Sequence, residues 1–420
     1  MPTTNGRRPL TGINVADFSW FGAGPICGEA LAVYGATVVR VESESHIDGL
    51  RTIGPFPPGK FSHNVSGYFN NFNANKLGLT LNLNTEKGRD LAFRLVAWAD
   101  VFLTNMTPRI IERWGLTYDK LAAVRPDVIA VYQPMQGFDG PHRDFLGFGA
   151  VLGPITGFNY LTGFPGRTPN GMGTNYPDYV INPIHTLIAI LAALRYRRRT
   201  GKGQRIELAQ LESSVAGLAP ALMDYTVNGR VQTPSGNRVP HAAPHGAFRC
   251  LDIKVPTAFG ERDEDRWCVI ACFGDGDWSR LRAALGDPPW ARDERFTPHV
   301  GRKQHEDELE RRLTEWTSQR SPEEAMATLQ AAGVPAGVVQ NARDCLNDPH
   351  LQERGYYQYL EHPEAGRTAS DGSGFRLSKT PARFTSAAPC LGEHNYQVAT
   401  EILGVSPEEF AELIAEQVLY

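Results

Sequence analysis

Apolar residues along the first half of the chain fall into short, β-branched runs separated by segments with helical spacing. Residues 12–18 read as a strand, 19–25 as a tight Gly-rich turn, 26–34 as a helix closed by Gly35, and 36–42 as a second strand. That is a βαβ unit with a parallel pair. Further strands are predicted at 77–83, 100–105, 128–132 and 204–208, with helices near 86–99, 108–114 and 121–124. Strands alternating with helices in this way predict an open α/β layer structure.

One stretch breaks the alternation. Gly171, Gly173, Asn175 and Pro177 make a turn that delivers an acid, Asp178, and residues 184–194 follow with apolar side chains on nearly every side. Such a helix is predicted to be buried. Asp178 therefore stands where a loop enters a core helix, near its positive end. It is either an N-cap or a reactive carboxylate kept from bulk water. Five basic residues, Arg195, Arg197, Arg198, Arg199 and Lys202, complement the C-terminal end of that helix. A long apolar helix is predicted at 211–225.

Composition then shifts. Residues 228–246 are polar and turn-rich and read as a linker or an active-site loop. Strands at 247–251, 267–273 and 334–339, with helices at 278–285, 306–317 and 322–332, suggest a smaller domain. From 341 the chain returns, ending in a helix at 407–417. The organisation expected is a large domain from 1–225, a small domain with its linkers from 226–340, and a return segment, 341–420, that completes the large one.

Charge and cysteine usage narrow the chemistry. The 420 residues carry a net charge of −4, which gives no reason to expect nucleic acid or an anionic membrane as partner. No run reaches about 18 apolar residues, so no membrane span is expected, and residues 1–10 have no apolar signal core. The six cysteines are scattered and read as reduced thiols of a cytoplasmic protein. Neither they nor the eleven histidines show metal-ligand spacing, so no metal site is predicted. The Gly-x-Ser-x-Gly elbow, the Walker A loop and His-Glu-x-x-His are missing, and the first turn lacks Gly-x-Gly-x-x-Gly. What remains is covalent or acid–base work by a side chain. A carboxylate, with an ordinary pKa of about 3.9, is ionised at neutral pH and needs no base to activate it.

Several short pieces, in order and spacing, resemble the class III CoA-transferase family over nearly the whole chain. They are residues 9–19, Ala23-Gly-Pro25, 31–42, Asn73-Ala-Asn-Lys76, 105–115, Thr200-Gly-Lys-Gly-Gln204 and Leu391-Gly-Glu-His394. The family includes formyl-CoA and carnitine CoA-transferases, and 2-methylacyl-CoA racemases share its fold. The resemblance implies a Rossmann-like large domain with an open parallel sheet, a smaller α+β domain, and an interlaced dimer. It implies a homodimer, with a heteromeric assembly as the alternative. Coenzyme A thioesters would be substrates, with no permanently bound cofactor. Asp178 matches the family nucleophile, and Arg113 matches a position that contacts the nucleotide. Asn105 opens the same stretch. Arg40 and Lys76 are basic candidates near strand ends, read either as ligand contacts or as solvated surface charges.

The departures also carry information. Gly22 stands where formyl-CoA transferase has Gln, Gly149 where it has Glu, and residues 240–246 replace its glycine-rich lid. These changes speak against formyl and oxalyl groups and open volume for a bulkier one. Phe148 aligns with the racemase His, which speaks against racemisation. Residues 17–25 and 41–51 look more like the branch that uses succinyl-CoA with larger dicarboxylic or aromatic acids. The alternatives are an acyl-CoA racemase or epimerase, or one subunit of a two-chain transferase.

Overall fold

A computed structural model describes residues 8–257 and 260–420. Most of the polar start, residues 1–7, lies outside the described residues. Six parallel strands form the main sheet: β1 (Asn14–Asp17), β2 (Thr37–Glu42), β3 (Leu77–Thr80), β4 (Val101–Thr104), β5 (Ile129–Tyr132) and β6 (Gln204–Glu207). Their order is β3-β2-β1-β4-β5-β6, the doubly wound arrangement of a Rossmann-like sheet.

Strand alternation divides the core into two layers. Ala16, Val39, Phe102 and Ala130 face one layer, packed against Leu91, Leu95 and Val96 of the helix Glu86–Trp98. Val15, Val38, Leu103 and Val131 face the other, packed against Cys27 and Leu31 of the helix Ala23–Val33 and against Ile190 and Ala193. Successive side chains on a strand point to opposite faces, so runs buried on both sides are apolar throughout.

Two compact units are present. One comprises the chain up to Tyr160, Asn170–Gln232 and His350–Tyr420; the other comprises Leu161–Pro169 and Thr233–Pro349. The C-terminal segment is built into the large unit. Val398, Ala399, Leu413 and Leu419 join its core, and Asn395 Oδ1 accepts from the Thr80 N–H of β3 at 2.8 Å. A hairpin of β12 (Gln358–His362) and β13 (Gly366–Ser370) lies in this segment, where sequence patterning suggested no strands. The small unit has an antiparallel sheet of β7 (His245–Arg249), β10 (Trp267–Ala271) and β11 (Ala336–Val338), and a separate hairpin of β8 (Ile253–Thr257) and β9 (Gly260–Glu264). Cys250, Cys268 and Cys272 are free thiols in its core.

Two helical expectations need correction. The predicted helix at 211–225 is broken into Gln210–Val215, a 3₁₀ turn at Ala216–Leu218, and Ala219–Asn228. Pro220 sits in the first turn of the last piece, where its missing N–H costs nothing. The core helix, Asn182–Thr200, is buried only along one side. Thr186, Ile190 and Ala193 are buried, whereas Ile184, Ile188 and Leu191 are exposed, Ile188 by 62%. With the turn before it, this segment is long and apolar enough by composition to cross a membrane, but its buried side packs on the main sheet.

Candidate active site

The sheet order reverses between β1 and β4, and ligands of such sheets bind beyond the C-terminal ends of the strands at this point. Asn105 stands there. Its Oδ1 accepts from the Trp20 N–H at 2.9 Å and its Nδ2 donates to the Trp20 carbonyl at 2.6 Å. Asn105 thus ties the loop after β4 to the loop after β1. Arg113, on the short helix Pro108–Trp114, is exposed, with one contact to Asn84 Oδ1 at 3.3 Å. Its charge is available to a ligand.

Arg40 and Lys76 are not solvated surface charges: both side chains are fully buried and paired with acids. Lys76 Nζ donates to Asp17 Oδ2 at 2.9 Å, the Pro25 carbonyl at 2.8 Å and Asn73 Oδ1 at 2.9 Å, which uses all three of its protons. Arg40 pairs with Asp48 and donates to the Ser19 carbonyl at 2.8 Å. Asp48 in turn accepts from the Phe21 N–H at 3.2 Å. Asp17 accepts from the Ser19 N–H at 3.0 Å. A buried charge requires a partner, and these two cations neutralise the acids that shape the loop from Ser19 to Gly22. Sequence alone cannot distinguish such a cation from a ligand contact.

Asp178 lies in a π-helical turn, Pro177–Ile181, that runs directly into Asn182–Thr200. Wide turns of this kind occur often at functional sites. No side-chain cap is made by Asp178 at the start of either segment. The backbone N–H of Gly149, the first residue of the helix Gly149–Ile155, lies by its carboxylate and favours the charged form. One of its oxygens, Oδ1, is inaccessible to solvent and has no hydrogen-bond partner. Burial raises the Asp178 pKa to about 6, and the Gly149 N–H partly opposes that shift. A carboxyl in this state remains mostly ionised at pH 7 and above while being poorly solvated.

Both glycines that depart from formyl-CoA transferase lie against Asp178, Gly149 at its carboxyl group and Gly22 at its Cβ. A Cβ on Gly149 would lie 2.4 Å from Asp178 Oδ2, and one on Gly22 would lie 3.3 Å from Asp178 Cβ. Beside them opens a cavity of about 610 Å³, lined by Gly149, Gly153, Asn159, Asn175, Tyr68 and Tyr179 among others, with no charged side chain on its wall. Asn175, whose Nδ2 donates to the Tyr179 hydroxyl at 3.3 Å, lies on this wall with Tyr68. Phe148 stacks on Phe21, with centroids 5.7 Å apart and planes inclined by 9°. Sequence reasoning named Asp178 as a site residue but gave no such role to Phe21, Tyr68 or Asn175. The only trace of the contacts was the pair of glycines at 22 and 149.

A family model for CoA-transferase family III matches residues 10–395. The chain belongs to CoA-transferase family III. The family III relatives include a succinyl-CoA–D-citramalate CoA-transferase of Chloroflexus aurantiacus, 32% identical over 98% of each chain. Another is the alpha subunit of a succinyl-CoA–L-malate CoA-transferase of the same species, 31% identical over 98% of this chain and 93% of that one. A crystal structure of a CAIB/BAIF family protein from Brucella suis superposes with a TM-score of 0.83 at 31% identity, covering 94% of this chain and all of that one. The protein is thus a family III CoA-transferase, and coenzyme A thioesters are its substrates.

Proposed function

We propose that this transferase moves coenzyme A from succinyl-CoA, or a similar donor, to a larger dicarboxylic or aromatic acid by way of Asp178. The observation that carries the reading is a carboxylate oxygen, Asp178 Oδ1, with no internal partner beside an uncharged cavity. A desolvated carboxylate is a stronger nucleophile than a hydrated one.

The steps are two acyl exchanges and their reverse. Asp178 attacks the thioester carbonyl, the C–S bond breaks, and a mixed anhydride and CoA thiolate result. The thiolate attacks the aspartyl carbonyl of the anhydride, the C–O bond breaks, and the donor acid leaves as its carboxylate. Asp178 then carries the CoA thioester. The acceptor carboxylate attacks that thioester, releasing thiolate and leaving a second anhydride. Thiolate then attacks the acceptor carbonyl of that anhydride, which frees Asp178 and the new acyl-CoA. No net proton moves. The Gly149 N–H is one backbone donor beside the reacting carboxyl, of the kind that stabilises developing oxyanions. Arg113 supplies a cation for the phosphates of the nucleotide.

Single turnover with succinyl-CoA, then hydroxylamine or borohydride trapping and peptide mass spectrometry, tests the reading. A label on Asp178 is expected; an unlabelled Asp178 with a turned-over donor overturns it. Racemisation needs a second acid–base group, and position 148 carries a phenyl ring that stacks on Phe21. Solvent deuterium should therefore not enter the α-carbon of a 2-methylacyl-CoA.

Large apolar side chains are exposed along Asn182–Thr200 (Ile184, Ile188, Leu191) and on the next long helix (Met223, Tyr225, Val227), and such surface often marks a contact with another chain. We infer that a second chain covers it, most simply another copy in an interlaced homodimer. A mass in solution of twice 46.3 kDa is expected.

A further inference from the structure

Attack on a thioester needs a carboxylate oxygen within about 3–3.5 Å of the acyl carbon, and the packing around Asp178 Oδ1 admits no solvent. For that oxygen to react, a group next to it has to move. Gly22 and Gly149 lie beside Asp178 on two separate segments, and each is directly preceded by a phenylalanine. Those two rings, Phe21 and Phe148, stack almost parallel and so join the segments beside the carboxyl group.

The two rings are held differently. Phe21 has φ of 58°, a left-handed conformation uncommon for a bulky residue. Its N–H is fixed by Asp48, which the buried Arg40 neutralises. The ring fills the space over Gly49, where a Cβ would come within 2.5 Å of it. Phe148 has ordinary extended backbone angles, is 52% exposed, and has Phe21 as its ring-stacking partner. One ring is anchored in the fold, and the other is half exposed in the single chain and stacked on the first.

We propose that Phe21 and Phe148 form an aromatic door beside Asp178, with Phe148 as the moving leaf, that admits the thioester and closes against water while an acyl group rests on the carboxylate. The door rests on the reading of Asp178 as nucleophile. The reaction it suppresses is hydrolysis. Water adds to the acyl carbonyl of the anhydride, the C–O bond breaks, and free acid, the Asp178 carboxylate and one proton result. A loose door raises that loss relative to transfer, whereas general damage to the fold lowers both together.

The test measures free acid formed per new acyl-CoA formed, in the full-length enzyme with succinyl-CoA and an accepted carboxylate. Phe148→Ala should raise the ratio roughly three- to tenfold. Phe148→Leu, which keeps apolar bulk but loses the stack, should raise it too and serves if the alanine variant folds poorly. Phe148→Tyr, which restores a flat ring, should return the ratio close to that of the natural protein. An unchanged ratio in the leucine variant, with Asp178 still labelled in the natural enzyme, overturns the door alone. An unlabelled Asp178 in the natural enzyme removes the nucleophile and the door together.

Discussion

The backbone N–H of Gly149 lies by the Asp178 carboxylate and favours its charged form, and a methyl group at Gly149 would sit 2.4 Å from Oδ2. The absence of a side chain at 149 is what lets the acid occupy its place. Gly149 does not need a left-handed φ, so the backbone itself tolerates alanine. Gly149→Ala should fold normally yet lose at least about a hundredfold in kcat, on the scale of losing an oxyanion donor. CoA affinity by calorimetry should stay unchanged. Wild-type turnover in that variant would mean the carboxylate is not held there during reaction.

The raised pKa of Asp178 sets a pH limit on activity. Its reactive form is the carboxylate, so kcat/KM should fall as pH drops through about 6. A pH–rate profile flat down to pH 4.5, on protein shown to remain folded, would contradict this.

The same shift predicts a stability effect with a definite sign. The folded pKa of about 6 lies above the ordinary value of 3.8, so between those pH values the folded state binds more protons than the unfolded one. Stability therefore falls as pH rises through that window. Asp178→Asn should be more stable than the natural protein at pH 7–8, by on the order of 2–3 kcal/mol. The difference should shrink to near zero below pH 4. Urea unfolding at both pH values checks it.

Lys76 tests the internal ion pairs. Lys76→Met leaves the fully buried Asp17 without its cation, which costs about 3–5 kcal/mol of folding stability. The expected phenotype is a lowered urea midpoint, not a selective rise in KM for the thioester. Arg113→Ala is the contrast: an exposed side chain whose loss should spare stability and raise KM for CoA thioesters. If the two phenotypes were exchanged, the assignment of the buried and the exposed cation would be inverted.

The apolar side of the core helix offers a last check. Ile188→Asp places a charge in the middle of the exposed stripe of Ile184, Ile188 and Leu191. It should reduce the mass in solution toward that of one chain, or cause aggregation, as sedimentation equilibrium would show. An unaltered dimer would place the contact elsewhere.

Local order determined much of this protein. The runs at β1, β2, β4 and β5 are short, mostly apolar or β-branched and bounded by turns, so strand identity and the parallel layer follow from the residues themselves. Asp178 stood out for a similar reason: a lone acid between a glycine-rich turn and an apolar helix is a local pattern. Tertiary structure alone decided what that acid touches. Gly22, Gly149, Phe21, Phe148, Tyr68 and Asn175 come from four separate stretches of chain, and nothing in their sequence spacing encodes a distance. The same holds for Arg40 and Lys76, because whether a cation faces a ligand, water or a buried carboxylate depends on which strands become neighbours. Burial of the core helix was overestimated on the same account: apolarity reports that a face seeks cover, whereas the covering surface is set by packing partners that one chain's sequence pattern does not specify.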